Sequence, residues 1–341
     1  MADGTMSSAV PPAFSAELAQ PEVDLRPLTT SELIDRGFSL YRAHFAGFLL
    51  LALLCQTAPL LNQVLVTAFK LNPSQADLLE TPLAALTKMG IVGGLGIASH
   101  LIVFCFEIII TFYIADAYLG KSPSVRESIR KFATCVISSL WTATVSMVLI
   151  GLTLVFPVLA VVGPYAYSCF YPPVDWLPLL FLGLSTVLLV VISLVPVLVV
   201  FMRLMLVVPA LALEGFSGWQ SVRRSSELVR YDPGQGIFYW GEMRLSFLLL
   251  PLFIIELLIL SLTSLPLVIF QFGEAIRHGG GAQLALPPDS TVILSQVMTF
   301  LAISLILPLY PIATTLFYYD IRIRREGFDL EVMARQLGEA R

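Results

Sequence analysis

Five side chains stand out because they place charge where the sequence is otherwise apolar. Glu107, Arg203 and Glu256 lie inside long apolar runs. His100 precedes Glu107 by seven residues, on the same helical face, and Asp116 falls at the end of that run. Ionisable groups are costly inside a membrane, which makes them the default suspects for a site. As a site, Glu107 and Glu256 would take up a cation or a proton with Arg203 as counter-ion. As structure, Arg203 and a carboxylate would tie two helices together while boundary charges reach back to water. The residue types favour the structural reading, although Glu256 has few cations at its depth. Chemistry on lipid would need Asp116, Arg203 and Glu242 to converge.

Other chemistry has no footing. The sequence lacks HExxH, GxSxG and a phosphate-binding P-loop, so no catalytic residue is assigned and no enzymatic activity is expected. His44, His100 and His278 fall in separate regions. Cys55, Cys105, Cys135 and Cys169 are scattered without CxxC spacing, so neither a metal nor any other cofactor is expected. Gly93 to Gly96 follows no strand pattern and lies in an apolar run, so it is not a nucleotide loop.

The elements that must carry these residues follow from composition. Apolar residues make up 57% of the 341 and charged residues 13%, against about 45–50% and about 25% in soluble domains. Six runs reach the roughly 20 apolar residues that a spanning helix needs: 46–69, 91–118, 136–163, 178–211, 245–272 and 291–319. They are continuously apolar rather than alternating, which predicts helices and not barrel strands. The fold class expected is therefore an all-α membrane protein with six transmembrane helices. The polar residues 1–25 read as a disordered cytoplasmic tail, 26–320 as the membrane domain and 321–341 as a basic cytoplasmic tail.

Lys and Arg set the orientation. With the N-terminus inside, 17 of the 20 cations fall on the cytoplasmic side, and only Lys70, Lys88 and Arg277 fall outside. That split also supports an even number of spans, with both termini cytoplasmic.

The cytoplasmic segments resemble one another. Each starts near a Ser or Thr and sets apolar against basic residues at helical spacing: 28–42, 122–132 and 217–230. Thr29 with Glu32, and Ser124 with Glu127, fit capping boxes. TFYIAD at 111–116 is echoed by TLFYYD at 315–320, and Glu-Gly-Phe at 214–216 recurs at 326–328. The reading is three hairpins, each preceded by a cytoplasmic interfacial amphipathic helix. Arg126, Arg130, Arg223, Arg224 and Arg230 are the candidate contacts to anionic lipid headgroups. These cations line a lipid face and do not form a nucleic-acid platform. Gly90, Gly94 and Ala98 form a small-residue face suited to close helix packing.

Three stretches carry a resemblance: RPLTTSELIDRGFSLYR at 26–42, PALALEGFSGWQSVRRSSELV at 209–229 and YYDIRIRREGFDL at 318–330. In that order they resemble the signatures of the glycerophosphoryl diester phosphodiesterase membrane-domain family. The resemblance implies a six-helix module of the bacterial inner membrane, fused in some relatives to a catalytic barrel. The residues after the sixth run are too few for that barrel. The expected function is a membrane module without catalysis of its own that anchors, scaffolds or assists a membrane or cytoplasmic protein. The alternative is a transporter or lipid-handling protein using Glu107, Glu256 and Arg203.

Overall fold

The structure, a computed structural model, describes residues 26–71, 81–170, 176–230, 241–277 and 287–327. The tail at 1–25 and most of 321–341, with Arg335 and Arg341, lie outside them. Among the described residues the chain is helical, with no strand. The helices are α1 (Thr30–Ala43), α2 (Phe45–Ala68), α3 (Pro82–Tyr118), α4 (Val125–Ala133), α5 (Val136–Phe170) and α6 (Trp176–Leu204). They continue with α7 (Val207–Glu214), α8 (Trp219–Val229), α9 (Gly241–Thr263), α10 (Leu265–Arg277), α11 (Asp289–Ile306) and α12 (Leu309–Glu326).

Six helical segments are long and apolar enough to cross a membrane. Four lie in single helices, α2, α3, α5 and α9, and α3 starts nine residues before the predicted span. Three of the apolar runs read from the sequence are nonetheless broken. The fourth opens at Met205 and Leu206, the fifth at Ser264 and the sixth at Leu307 and Pro308. In each case a proline stands in the first turn of the helix that restarts: Pro209 in α7, Pro266 in α10 and Pro311 in α12. Proline lacks an N–H, so it cannot continue the ladder, but it costs little in a first turn, where N–H groups have no intrahelical partner. Pro59, Pro157, Pro196 and Pro251 instead ride inside unbroken helices.

The packing is that of a bundle whose solvent is apolar. Large side chains face outward along α6, with Leu184 65% and Val187 61% exposed. Polar side chains are drawn inward, and α12 is their centre. Residues 311 to 321 of α12 are all buried, among them Thr314, Thr315, Tyr318, Tyr319 and Asp320. Helices α1, α3, α7 and α9 surround it. Helix α1 runs antiparallel to this part of the chain. Leu28 meets Asp320, Gly37 lies against Ile312 and Leu316, and the Tyr41 hydroxyl donates to the Leu305 carbonyl.

Two local expectations fail. A Cβ built on Gly90 or Gly94 would meet nothing within 4 Å, and Ala98 is exposed. The small-residue face of α3 therefore points away from the bundle, while Ala85 and Ser99 on the same helix are buried. Ser124 stands at the N-cap of α4, but its side chain makes no capping bond. Glu127 turns instead toward Lys131, one turn on, at 3.7 Å.

The Thr29 capping box does form. Thr29 Oγ1 accepts from the Glu32 N–H at 3.3 Å, and Glu32 Oε2 accepts from the Thr29 N–H at 2.7 Å. The Thr29 N–H and hydroxyl, with the Arg26 guanidinium, pull the Glu32 carboxyl down from 4.5 to about 2. A folded-state value below the unfolded one means stabilisation that is present above 4.5 and lost as pH falls from there through about 2. Hydrogen exchange at the Leu33 amide, whose N–H bonds the Thr29 carbonyl, is expected to speed up across that window. Glu32→Gln is expected to flatten the response.

Candidate functional site

The intramembrane candidates do not share a site. Glu256 of α9 accepts a 2.5 Å hydrogen bond from the Tyr310 hydroxyl of α12. Arg203 of α6 pairs with Glu242 of α9 at 3.5 Å. Asp116 at the end of α3 is held by Lys131 of α4 at 2.6 Å. Glu107 is half-buried in α3 and His100 is exposed. Among the described residues no hydrogen bond or ion pair joins Glu107, Arg203 and Glu256. The convergence that lipid chemistry would need is incomplete, because Arg203 and Glu242 meet while Asp116 belongs to a separate pair.

What converges is at the charged end of the bundle. Glu214 closes α7 and Glu326 closes α12, each followed by a glycine in the left-handed region, Gly215 at φ 74° and Gly327 at φ 65°. An L side chain is strained there, so glycine lets both helices stop at that point. The two glutamates meet on the same pair of arginines. Arg224 of α8 donates to Glu214 at 2.8 and 3.0 Å and lies 2.6 Å from Glu326. Arg322 lies 3.3 Å from Glu214 and 3.0 Å from Glu326. The Tyr318 hydroxyl also donates to Glu214. The result is a closed ring of two carboxylates and two guanidinium groups. Charge-assisted bonds of this kind are stronger than neutral ones and fix geometry as well as energy.

Helix α8 is held from other sides too. Arg325 of α12 donates to the carbonyls of Glu227 and Arg230 at 2.9 and 2.8 Å, satisfying the free C-terminal end of α8. At its start, the Gly218 N–H donates to Thr142 Oγ1 of α5 at 2.7 Å. Gly218 has φ 55° and ψ −125° and packs against the Trp141 ring, leaving no space for a Cβ.

A second cluster ties the start of α1 to the end of α12. The Asp320 side chain is fully buried. It accepts from the Leu28 N–H at 2.7 Å, from Arg244 Nη2 at 2.9 Å and from Arg324 Nε at 2.9 Å. Both arginines also donate to the Leu28 carbonyl, at 3.2 and 2.6 Å. The Asp320 carboxylate and the Leu28 backbone thus satisfy each other and both arginines, as burial demands.

The five headgroup candidates divide accordingly. Arg126, Arg130, Arg223 and Arg230 are exposed, and Arg223 pairs along its own helix with Glu227 at 2.8 Å. Arg224 does not belong with them, because it is turned inward into the ring. On the same helix Trp219 is 61% exposed, while Val222 and Leu228 are buried. Tyr310, Tyr318, Arg322 and Arg325 were not singled out by sequence. Their signals in the sequence are the TLFYYD echo, the YYDIRIRREGFDL stretch with its repeated Glu-Gly-Phe, and the need of Glu256 for a donor.

Among the described residues no three His, Cys, Asp or Glu side chains gather as a metal site requires. Six apolar helical segments around a buried polar centre define a multi-pass α-helical membrane protein. No family model, curated protein or solved structure matches the chain.

Proposed function

We propose that the chain is an accessory module of the bacterial inner membrane that anchors or assists a partner, with both termini in the cytoplasm and no catalysis of its own. One observation carries this reading. The charged end spends its carboxylates on holding the bundle together, and leaves cations projecting from two short helices on a fixed frame. Asp116, Glu214 and Asp320 are all engaged in ion pairs, while Arg126 and Arg130 of α4 have none among the described residues. The 17 to 3 division of cations supports the orientation. Kinship with the glycerophosphoryl diester phosphodiesterase membrane-domain family is supported by contact among the three stretches that carry the resemblance. The first meets the third at Leu28 and Asp320, and the second meets the third in the ring. The arrangement of three hairpins led by interfacial helices is part of the same proposal. It is supported by the packing of α2 on α3, α5 on α6 and α9 on α11. A transport role through Glu107, Arg203 and Glu256 has less behind it, since nothing links those three.

Crosslinking in intact membranes tests the proposal, comparing the natural protein with an Arg126→Glu, Arg130→Glu variant of equal melting temperature. The expected result is a reproducible protein partner that the variant loses. Recovery of no reproducible partner, or undiminished capture by the variant, overturns it.

A further inference from the structure

Helices α1, α9 and α12 leave a groove between them with a volume of about 110 Å³. Its walls are apolar throughout, including Ile34 and Phe38 of α1, Leu248 and Ile255 of α9, and Leu309 and Ala313 of α12. A void without polar partners does not hold water. Phe38 and Ile255 are 40% and 39% exposed, so the groove opens sideways onto the surface that faces the bilayer. It is far too small for a helix.

The groove has a direction. On α9, Arg244 stands one turn before Leu248. On α12, Asp320 and Arg324 follow Ile312 and Leu316 at steps of four, so they share that stripe of the helix. One end therefore reaches the Asp320 cluster. At the other end, Glu256 and Tyr310 follow the lining residues Ile255 and Leu309 in sequence, and their hydrogen bond marks where the apolar wall stops. From Arg244 to Ile255 a helix rises about 16 Å, close to the roughly 15 Å of hydrocarbon in one leaflet.

Charge is unbalanced at the first end. Arg244 and Arg324 share one carboxylate, Asp320, and the Arg324 side chain is 39% exposed. A guanidinium fork in excess at the mouth of an apolar slot matches a phosphate followed by a hydrocarbon tail. We propose that the groove holds one acyl chain of an anionic phospholipid from the leaflet at the charged end, with its phosphate against Arg324 and Arg244.

The test uses the full chain in phosphatidylcholine nanodiscs doped with phosphatidylglycerol carrying a photoactivatable group on one acyl chain. A phosphatidylcholine probe with the same chain is the control, and labelled positions are mapped by mass spectrometry. Labelling is expected to concentrate on α1 and α9 around the groove. The phosphatidylglycerol probe is expected to exceed the control there by about fivefold, the effect of one basic residue near an anionic headgroup. Arg324→Gln is expected to bring the two probes to parity, and Ile255→Trp to reduce labelling by both. Even labelling over the exposed spans such as α6, or equal labelling by the two probes in the natural protein, overturns the proposal. Both readings need only the natural protein, so they stand if a variant fails to fold.

Discussion

Replacing Asp320 by asparagine is expected to destabilise the bundle by about 3–5 kcal/mol, the cost of removing one partner from a buried ion pair. The carboxylate is fully buried and serves two guanidinium groups and a backbone N–H at once. Asparagine keeps the shape but loses the charge, and leaves Arg244, only 14% exposed, without a counter-ion. Unfolding of the purified protein in dodecyl maltoside measures the loss. Adding Arg244→Met to Asp320→Asn is expected to restore part of it, because the second change removes the buried charge that the first leaves uncompensated. Equal stability of Asp320→Asn and the natural protein would show that the cluster is ornamental.

The second large effect is expected at Glu214. Glu214→Gln opens the ring, leaving Arg224 and Arg322 to share Glu326 alone, and is expected to cost about 1.5–3 kcal/mol, the range for a hydrogen bond to a charged group. The loss should concentrate in α8, which would exchange its amide hydrogens faster while α5 and α6 stay protected. A cycle with Arg224→Met separates the pair from the ring, since side chains in one network do not add independently. If α8 exchanges at its natural rate in Glu214→Gln, its position rests on Arg325 and Val222 instead.

Much of this architecture is legible in the residues. Continuous apolar runs set the six spans, and the first span is read to within a residue at each end. The breaks at 205–206, 264 and 307–308 are harder to read. Proline inside a membrane helix is common and kinks or breaks it only according to context, so Pro196 and Pro209 look alike in sequence. The glycine face of α3 failed for a similar reason: small residues permit close approach but do not say which helix comes. For the site, the informative signal was the duplicated Glu-Gly-Phe, whose two glutamates meet although 112 positions separate 214 from 326. Glu107, Arg203 and Glu256 stand out by residue type, and type alone does not show that Arg203 and Glu256 turn to Glu242 and Tyr310 rather than to one another. Glu256 found a tyrosine rather than a cation, a solution that a count of charges does not reveal.

The centre of the bundle, α12, is also the last of these helices to be synthesised. Its Asp320 bonds to Leu28 across 292 positions, and a newly made N-terminal segment must wait for it. Until then α1, α3, α7 and α9 surround a place that nothing fills, with Arg244 uncompensated. Chains fold from the N-terminal side as they emerge, so closure of this protein comes as a final event rather than a gradual one. A ribosome stalled before residue 309 would hold an open bundle whose α1 exchanges and is cleaved freely, while one stalled well past 326 would hold a closed one.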